Sequence, residues 1–297
     1  MGYRVDNAII MAAGLSSRFA PISYEKPKAL IEVKGEVLIE RQICQLQERG
    51  ITDIIVVVGY KKEQFYYLKE KYGVMLVENA EYQARNNNSS IYVVRQYIKN
   101  SYICSADNYF EINPFQKEEE ESFYAAVFAD GKTNEWCLET DSGDYITMVT
   151  VGGQNQWYML GHAFWSQTFT EKFIQILEEI YENKSTGGKL WEDIYRENIS
   201  KLKMKIKRYE RNQIYEFDSL DELRKFDPQY KNNSGSLILQ FIAKMMHCEE
   251  AELTEMEPYK TKTGDVIGVA FLYKKNTYIF EYESRELRGD RANEEKN

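Results

Sequence analysis

The feature that most constrains the fold is a run of apolar residues near the N-terminus, Ala8-Ile9-Ile10-Met11-Ala12-Ala13, ended by Gly14. A short continuous apolar run stopped by a turn residue reads as a strand buried on both faces, and such a strand needs helices above and below it. The residues that follow supply them. Leu38 to Arg49 reads as an amphipathic helix, with Leu38, Ile39, Gln42, Ile43 and Leu46 on one face and Gly50 at its stop. A second buried strand runs from Asp53 to Gly59, a helix from Lys61 to Lys71 and a third strand from Val74 to Val77. Ser89 to Ile98 is helical, and Tyr102 to Asp107 is a fourth strand ending in an acid. This alternation predicts an α/β fold with a doubly wound, mixed, mostly parallel sheet. Ligands of such sheets lie beyond the carboxyl ends of the strands, where Gly14, Gly59 and Asp107 fall.

From Phe123 the pattern turns β-rich. Phe123 to Phe128, Trp136 to Glu139, Tyr145 to Val151 and Trp157 to Trp165 read as short strands, the second and third joined by Asp141-Ser142-Gly143-Asp144. Helices follow at Thr170 to Tyr181 and Trp191 to Asn198, then a half-exposed strand at Leu202 to Arg208. Tyr215 to Leu223 reads as a strand end and a helix capped by Ser219, with Glu222 three residues on. The polar stretch Asp227 to Gly235 reads as a linker, which divides the chain into a domain at 1–230 and a small α+β appendage at 231–297. The appendage holds a helix (Leu237 to Met246), two strands (Val266 to Tyr273, Thr277 to Tyr282) and a disordered tail from Gly289.

Charge and cysteine usage exclude several functions. Lys and Arg total 38 against 47 Asp and Glu, a net charge of −9, which argues against a general nucleic-acid binder. No apolar stretch is long enough to span a bilayer and no signal-peptide pattern is present, so no membrane partner is expected. Cys44, Cys104, Cys137 and Cys248 are far apart and form no metal-binding spacing, the pattern of reduced thiols in a cytoplasmic protein. With His162 and His247 the sole histidines, metal chemistry falls to carboxylates.

The strongest chemical signal is Met11-Ala12-Ala13-Gly14-Leu15-Ser16-Ser17-Arg18-Phe19-Ala20-Pro21, continuing through Glu25-Lys26-Pro27-Lys28-Ala29-Leu30. Small residues let backbone N–H groups approach a polyphosphate, and Arg18 and Lys28 neutralise its charge. Neither a GxGxxG fingerprint nor a Walker A loop is present.

In this run the chain resembles nucleotidyltransferases that join a nucleoside triphosphate to a phosphorylated small molecule. Over residues 1–230 it resembles bacterial phosphocholine cytidylyltransferases more narrowly. The resemblance is carried by Ala-Ala-Gly-Leu-Ser-Ser-Arg, Lys-Pro-Lys, Ile54 to Gly59, Ser105 to Asn108, Thr133-Asn134-Glu135-Trp136 and Tyr215-Glu216-Phe217-Asp218. The related sugar-nucleotide pyrophosphorylases usually have Gly where Ser16 stands. The resemblance implies a Rossmann-like nucleotidyltransferase fold and Mg²⁺ as cofactor, with Asp107 as a metal ligand and a second acidic ligand in the pair Glu216 and Asp218. It implies that Ala12, Ala13, Gly14, Leu15, Ser16 and Ser17 bind nucleotide, that Arg18 and Lys28 are catalytic, and that Asn88 and Ser89 lie near the nucleotide.

Aromatic residues make up 14% of the chain, and a trimethylammonium group, which cannot donate a hydrogen bond, is commonly held by aromatic faces beside a carboxylate. Trp136, Trp157, Tyr158 and Trp191 are the candidates for choline binding, with Glu135 as the carboxylate; Glu192 likewise adjoins a tryptophan. The expected reaction transfers CMP from CTP to phosphocholine and releases pyrophosphate. The alternatives are the same chemistry on 2-aminoethylphosphonate or a sugar phosphate, and a non-catalytic nucleotide sensor. A homodimer is left open. Ile238 to Tyr282 further resembles the opening stretch of bacterial choline kinases, on Cys248 to Thr254, Gly268 to Tyr273 and Thr277 to Tyr282. No kinase active site is expected, because no catalytic loop follows.

Overall fold

A computed structural model describes residues 2–289; the tail expected from Gly289 therefore lies, beyond that residue, outside the described chain. The chain forms two compact units. The first takes the residues through Gly14 and then Glu36–Glu216; the second takes Leu15–Gly35 and the described residues from Phe217 on. The division expected at residue 230 falls inside the second unit.

The first unit is built on a seven-stranded sheet in the order Lys205–Tyr209, Phe123–Thr140, Ile146–Trp165, Ser101–Ser105, Asn7–Ala12, Ile54–Val58, Met75–Glu78. The last four run parallel, with Ile10 level with both Val56 and Cys104. Ile9, Ile10, Val56 and Val57 are fully buried, as a strand sandwiched between helices must be. The helix expected at Leu38 to Arg49 spans Leu38–Glu48, with Gly50 just beyond it at φ +76°. The segment Lys61 to Lys71 is instead broken into a 3₁₀ turn, Lys62–Phe65, and a short helix, Tyr67–Tyr72.

The β-rich half departs most from expectation. Its four short strands are two long ones, Phe123–Thr140 and Ile146–Trp165, paired antiparallel with several register shifts. The polar stretch Asp130 to Asn134 looks like a break because it does not alternate apolar and polar residues. It stays in the ladder because the middle of the hairpin is largely exposed, and bulges at Gly131 and Gly152, both with positive φ, absorb the irregularity. Lys205–Tyr209 is the edge strand, parallel to Phe123–Thr140.

Within this sheet His162, on the strand Ile146–Trp165, is completely buried, ringed by Tyr102, Phe110, Phe115, Phe123 and Tyr209 at centroid distances of 5.1–5.7 Å. Burial, helped by the charge of Lys207, holds its pKa well below the usual 6.5. The unfolded chain therefore binds a proton below about pH 6.5 that the native chain refuses, and stability falls as pH drops through that range. We expect His162→Phe to lose about 1–2 kcal/mol less stability than the wild type between about pH 7 and 5 in urea titrations. Equal losses would show that His162 titrates normally.

In the second unit the loop Leu15–Gly35 folds with the C-terminal segment. Ser219 Oγ caps the helix Leu220–Phe226 by accepting from Glu222 N, as expected. The polar stretch after it is no free linker: the Asp227 carboxylate accepts from Lys34 N at 2.7 Å, and Tyr230 OH donates to Glu32 O. Beyond lie the helix Leu237–Met246 and a four-stranded antiparallel meander, Thr254–Lys260, Val266–Tyr273, Asn276–Glu281 and Leu287–Gly289. The first and last of these strands carry no apolar alternation. Thr254–Lys260 is an edge strand, where charged residues and Pro258 are tolerated.

Candidate active site

The glycine-serine run spans both units. Ala12 and Ala13 are buried at the end of their strand, and Ala13 O accepts from Tyr60 N at 3.1 Å, so they offer a fixed backbone edge. Gly14 is exposed, and a Cβ built there meets no atom within 4 Å. Nothing in the described protein forbids a side chain at Gly14; what its absence leaves open is backbone that a ligand can approach. We expect Gly14→Ala to melt like the wild type while raising the KM for the nucleotide about tenfold. A fall in melting temperature with KM unchanged would make the glycine structural.

In the second unit, Leu15 is exposed and Ser16 sits at φ 47°, ψ 44°, the left-handed region. Gly would adopt this conformation freely, whereas an L-residue pays about 1–2 kcal/mol for it. Ser17 opens the 3₁₀ turn Ser17–Phe19, closed by Phe19 N donating to Ser16 O. The two cations are presented differently. Arg18 is exposed and its Nη1 donates to Asp218 Oδ2 at 2.7 Å, whereas Lys28 is only 6% exposed, its Nζ 5.8 Å from the centre of the Phe19 ring. One cation can reach; the other is fixed.

The acids divide likewise. Asp107 does not end its strand, which stops at Ser105; it occupies the turn Ala106-Asp107 before the short strand Asn108–Phe110. The buried side chain of Gln42 clamps that turn on both sides, Nε2 donating to Ser105 O and Asn108 O at 2.8 Å each. Asn108 faces Glu216 across the antiparallel pair, and its Nδ2 donates to Glu216 Oε2 at 3.3 Å. Glu216 and Asp218 do not share a strand, because the strand Ile214–Glu216 ends before Asp218. Asp218 belongs to the second unit and is the partner of Arg18. Among the described residues no three Asp, Glu, His or Cys side chains gather around one point. Asp107 in this turn and Glu216 opposite Asn108 are hard oxygen donors, which suit a hard cation sharing most of its ligands with phosphates and water.

The aromatic candidates do not converge into one cage. Trp191 is 1% exposed; Tyr124 stacks on it at 5.5 Å, and Trp165 and Phe173 meet it edge-on. It is core, and its expected choline contact is withdrawn. Trp157 and Tyr158 are neighbours on one strand and so point to opposite faces; Trp157 packs on the core with Arg208 5.5 Å from its ring. Trp136 is half-buried with Arg196 at 5.1 Å, and Glu135 is exposed. Tyr158 lies within electrostatic reach of Glu135 and Glu216, which add to burial in raising its pKa. Asn88 and Ser89 are 1% exposed with inward-engaged side chains. Asn88 Nδ2 donates to the carbonyls of Thr186, Gly187 and Lys189, and Ser89 Oγ donates to Asn86 O and accepts from Asn79. These bonds commit both side chains to holding the loop that is expected near the nucleotide.

Three residues that sequence reasoning left out hold candidate residues in place: Gln42 the turn of Asp107, and Tyr124 and Asn87 the carboxylate of Glu192. Gln42 could have been noticed as a polar residue on an otherwise apolar helix face. Tyr124 and Asn87 carry no such signal: Tyr124 OH and Asn87 Nδ2 donate to the two oxygens of Glu192 at 3.2 and 3.1 Å. Burial pushes the Glu192 carboxyl up to about 7, against the opposing effect of these two bonds.

Residues 8–110 match the MobA-like NTP transferase domain. The chain is 39% identical over 227 residues to the choline-phosphate cytidylyltransferase of Streptococcus pneumoniae, covering 76% of this chain and 99% of that protein. It is 37% identical over 228 residues to the 2-aminoethylphosphonate cytidylyltransferase of Lancefieldella rimae, covering 75% of this chain and 93% of that one. The solved structure of the S. pneumoniae CTP:phosphocholine cytidylyltransferase superposes with a TM-score of 0.73 over 77% of this chain and all of that one. A putative glucose-1-phosphate thymidylyltransferase from Bacillus anthracis, 15% identical, shares the fold at a TM-score of 0.60. At 39% identity over almost the whole length of the S. pneumoniae enzyme, this chain belongs to the choline-phosphate cytidylyltransferase family of nucleotidyltransferases.

Proposed function

We propose that the chain transfers CMP from CTP to phosphocholine, giving CDP-choline and pyrophosphate. The observation that carries this reading is the near full-length match to the S. pneumoniae enzyme, joined to a Gly14 whose missing side chain serves no described protein neighbour. An oxygen of the acceptor phosphate attacks the α-phosphorus in line, and the bond from that phosphorus to the bridging oxygen breaks as pyrophosphate leaves. The acceptor phosphate is already ionised near neutral pH, so no general base is needed. The backbone of Ala12 to Ser17 takes the triphosphate, and Arg18 and Lys28 offset the charge gathering on pyrophosphate. Asp107 and Glu216 are the residues to hold Mg²⁺, which supplies charge neutralisation between the phosphates when bound. Asp218 pairs with Arg18 and orients its guanidinium.

Transfer to 2-aminoethylphosphonate is the second reading, favoured by the nearly equal identity to the L. rimae enzyme. Pyrophosphate release from CTP and Mg²⁺ with each acceptor in turn separates the two, and chelation of the metal should abolish it. We further propose that the protein acts in the cytoplasm, which suits its four free cysteines; among the described residues no helix is long and apolar enough to cross a membrane. The C-terminal helix and meander have a structural role, and their order of helix then antiparallel strands supports descent from a kinase lobe.

A further inference from the structure

The Glu192 carboxyl has an unusual set of neighbours. Asn87 Nδ2, from the loop before the helix Asn88–Val94, donates to one oxygen, and Tyr124 OH, from the strand Phe123–Thr140, donates to the other. Asn87 is itself fixed, its Oδ1 accepting from Trp191 N at 2.7 Å. On its own helix, Trp191–Glu197, the nearest charge is Asp193, which is paired with Arg196 at 3.1 Å; Lys189 pairs with Glu197. Among the described residues no Lys, Arg or His pairs with Glu192, although its residue keeps part of its surface open. A sunken carboxylate with two neutral donors and no cation is costly unless a cation arrives from outside. Tyr124, which holds this carboxylate, also lies within electrostatic reach of Glu216 and Asp107.

We propose that Glu192, held by Asn87 and Tyr124, is the counter-ion for the ammonium group of the acceptor and sets the enzyme's preference for cationic phosphorylated acceptors. This rests on the transferase reading above. Exposed Glu135 cannot do the same work, because water screens it. A bound cation favours the ionised carboxylate, so binding below about pH 7 expels a proton, and acceptor affinity weakens as pH falls through that value. The group is thus a specificity determinant with a pH signature.

The test uses the full chain with CTP and Mg²⁺, and compares phosphocholine with its neutral isostere, in which carbon replaces the quaternary nitrogen. Wild type and Glu192→Gln are compared on the same pair of acceptors at each pH, so the ionisation of the acceptor phosphates cancels between the two proteins. The wild type should prefer phosphocholine by about tenfold or more, and the preference should grow between roughly pH 6 and 8. Glu192→Gln should bring the ratio to within about threefold and flatten its pH dependence, leaving the KM for CTP unchanged. Glu192→Asp, which keeps the charge, should restore a preference and its pH limb, and it serves as the test if the glutamine variant folds poorly. A preference that survives in Glu192→Gln, or one that a folded Glu192→Asp fails to restore, overturns the counter-ion role. Wild-type turnover of neither acceptor, nor of 2-aminoethylphosphonate, overturns the transferase reading and this inference with it.

Discussion

Asp107→Asn is expected to reduce kcat for pyrophosphate release by about two orders of magnitude or more, while the chain unfolds as the wild type does. The turn that carries Asp107 is held from outside its side chain: Gln42 binds the carbonyls on both flanks, and Ala106 N donates to Met11 O at 3.1 Å. An amide of the same shape should therefore leave the backbone where it is. What it removes is an anionic oxygen, and a neutral amide is a poor ligand for a hard cation. Circular dichroism melting checks the first half and steady-state kinetics at saturating Mg²⁺ the second. Activity within a few-fold of wild type would sink the assignment of Asp107 as a metal ligand.

Truncation after Tyr230 is expected to raise the KM for CTP about tenfold and to lower the melting temperature, with kcat kept within a few-fold. Within the second unit the loop bearing Arg18 and Lys28 leans on the segment this change removes. Tyr24 packs on Tyr282 with ring centres 4.1 Å apart, and Glu25 Oε1 accepts from Leu237 N and Ile238 N at the start of the last helix. The buried Arg224 donates to Leu253 O and Glu250 O at 2.6 and 2.7 Å, bonds that tie the helix Leu220–Phe226 to the same segment. Losing these contacts loosens the loop rather than deleting a reacting group, so the effect should fall on binding. An unchanged KM in the truncated chain would make the segment dispensable for nucleotide recognition.

The parallel strands and their order of helices were legible because Ile9, Ile10 and Val56 must be buried on both faces, and burial leaves a continuous apolar run in the sequence. The phosphate loop was legible for a different reason: small residues and cations at fixed spacing are themselves the chemistry. The long hairpin was not, since its middle is exposed and owes its pairing to backbone bonds that any residue can make. Trp191 misled because an aromatic residue in the core and one facing a ligand look alike in one dimension. Glu192 was visible only as a neighbour of that tryptophan. Its meaning depends on Asn87 and Tyr124, 105 and 68 residues away in the chain, which no local pattern connects.

The second unit draws its first piece, Leu15–Gly35, from near the start of the chain and its last described strand, Leu287–Gly289, from more than two hundred residues later. At ribosomal speeds of about 5–20 residues per second, Phe19, Ile22, Leu30 and Ile31 emerge and then wait roughly tens of seconds for the strands with which they fold. A nascent chain can therefore close its parallel sheet while its nucleotide grip is still unmade. The full grip on CTP arrives only once those strands have been made, and until then those four side chains stay open to a chaperone.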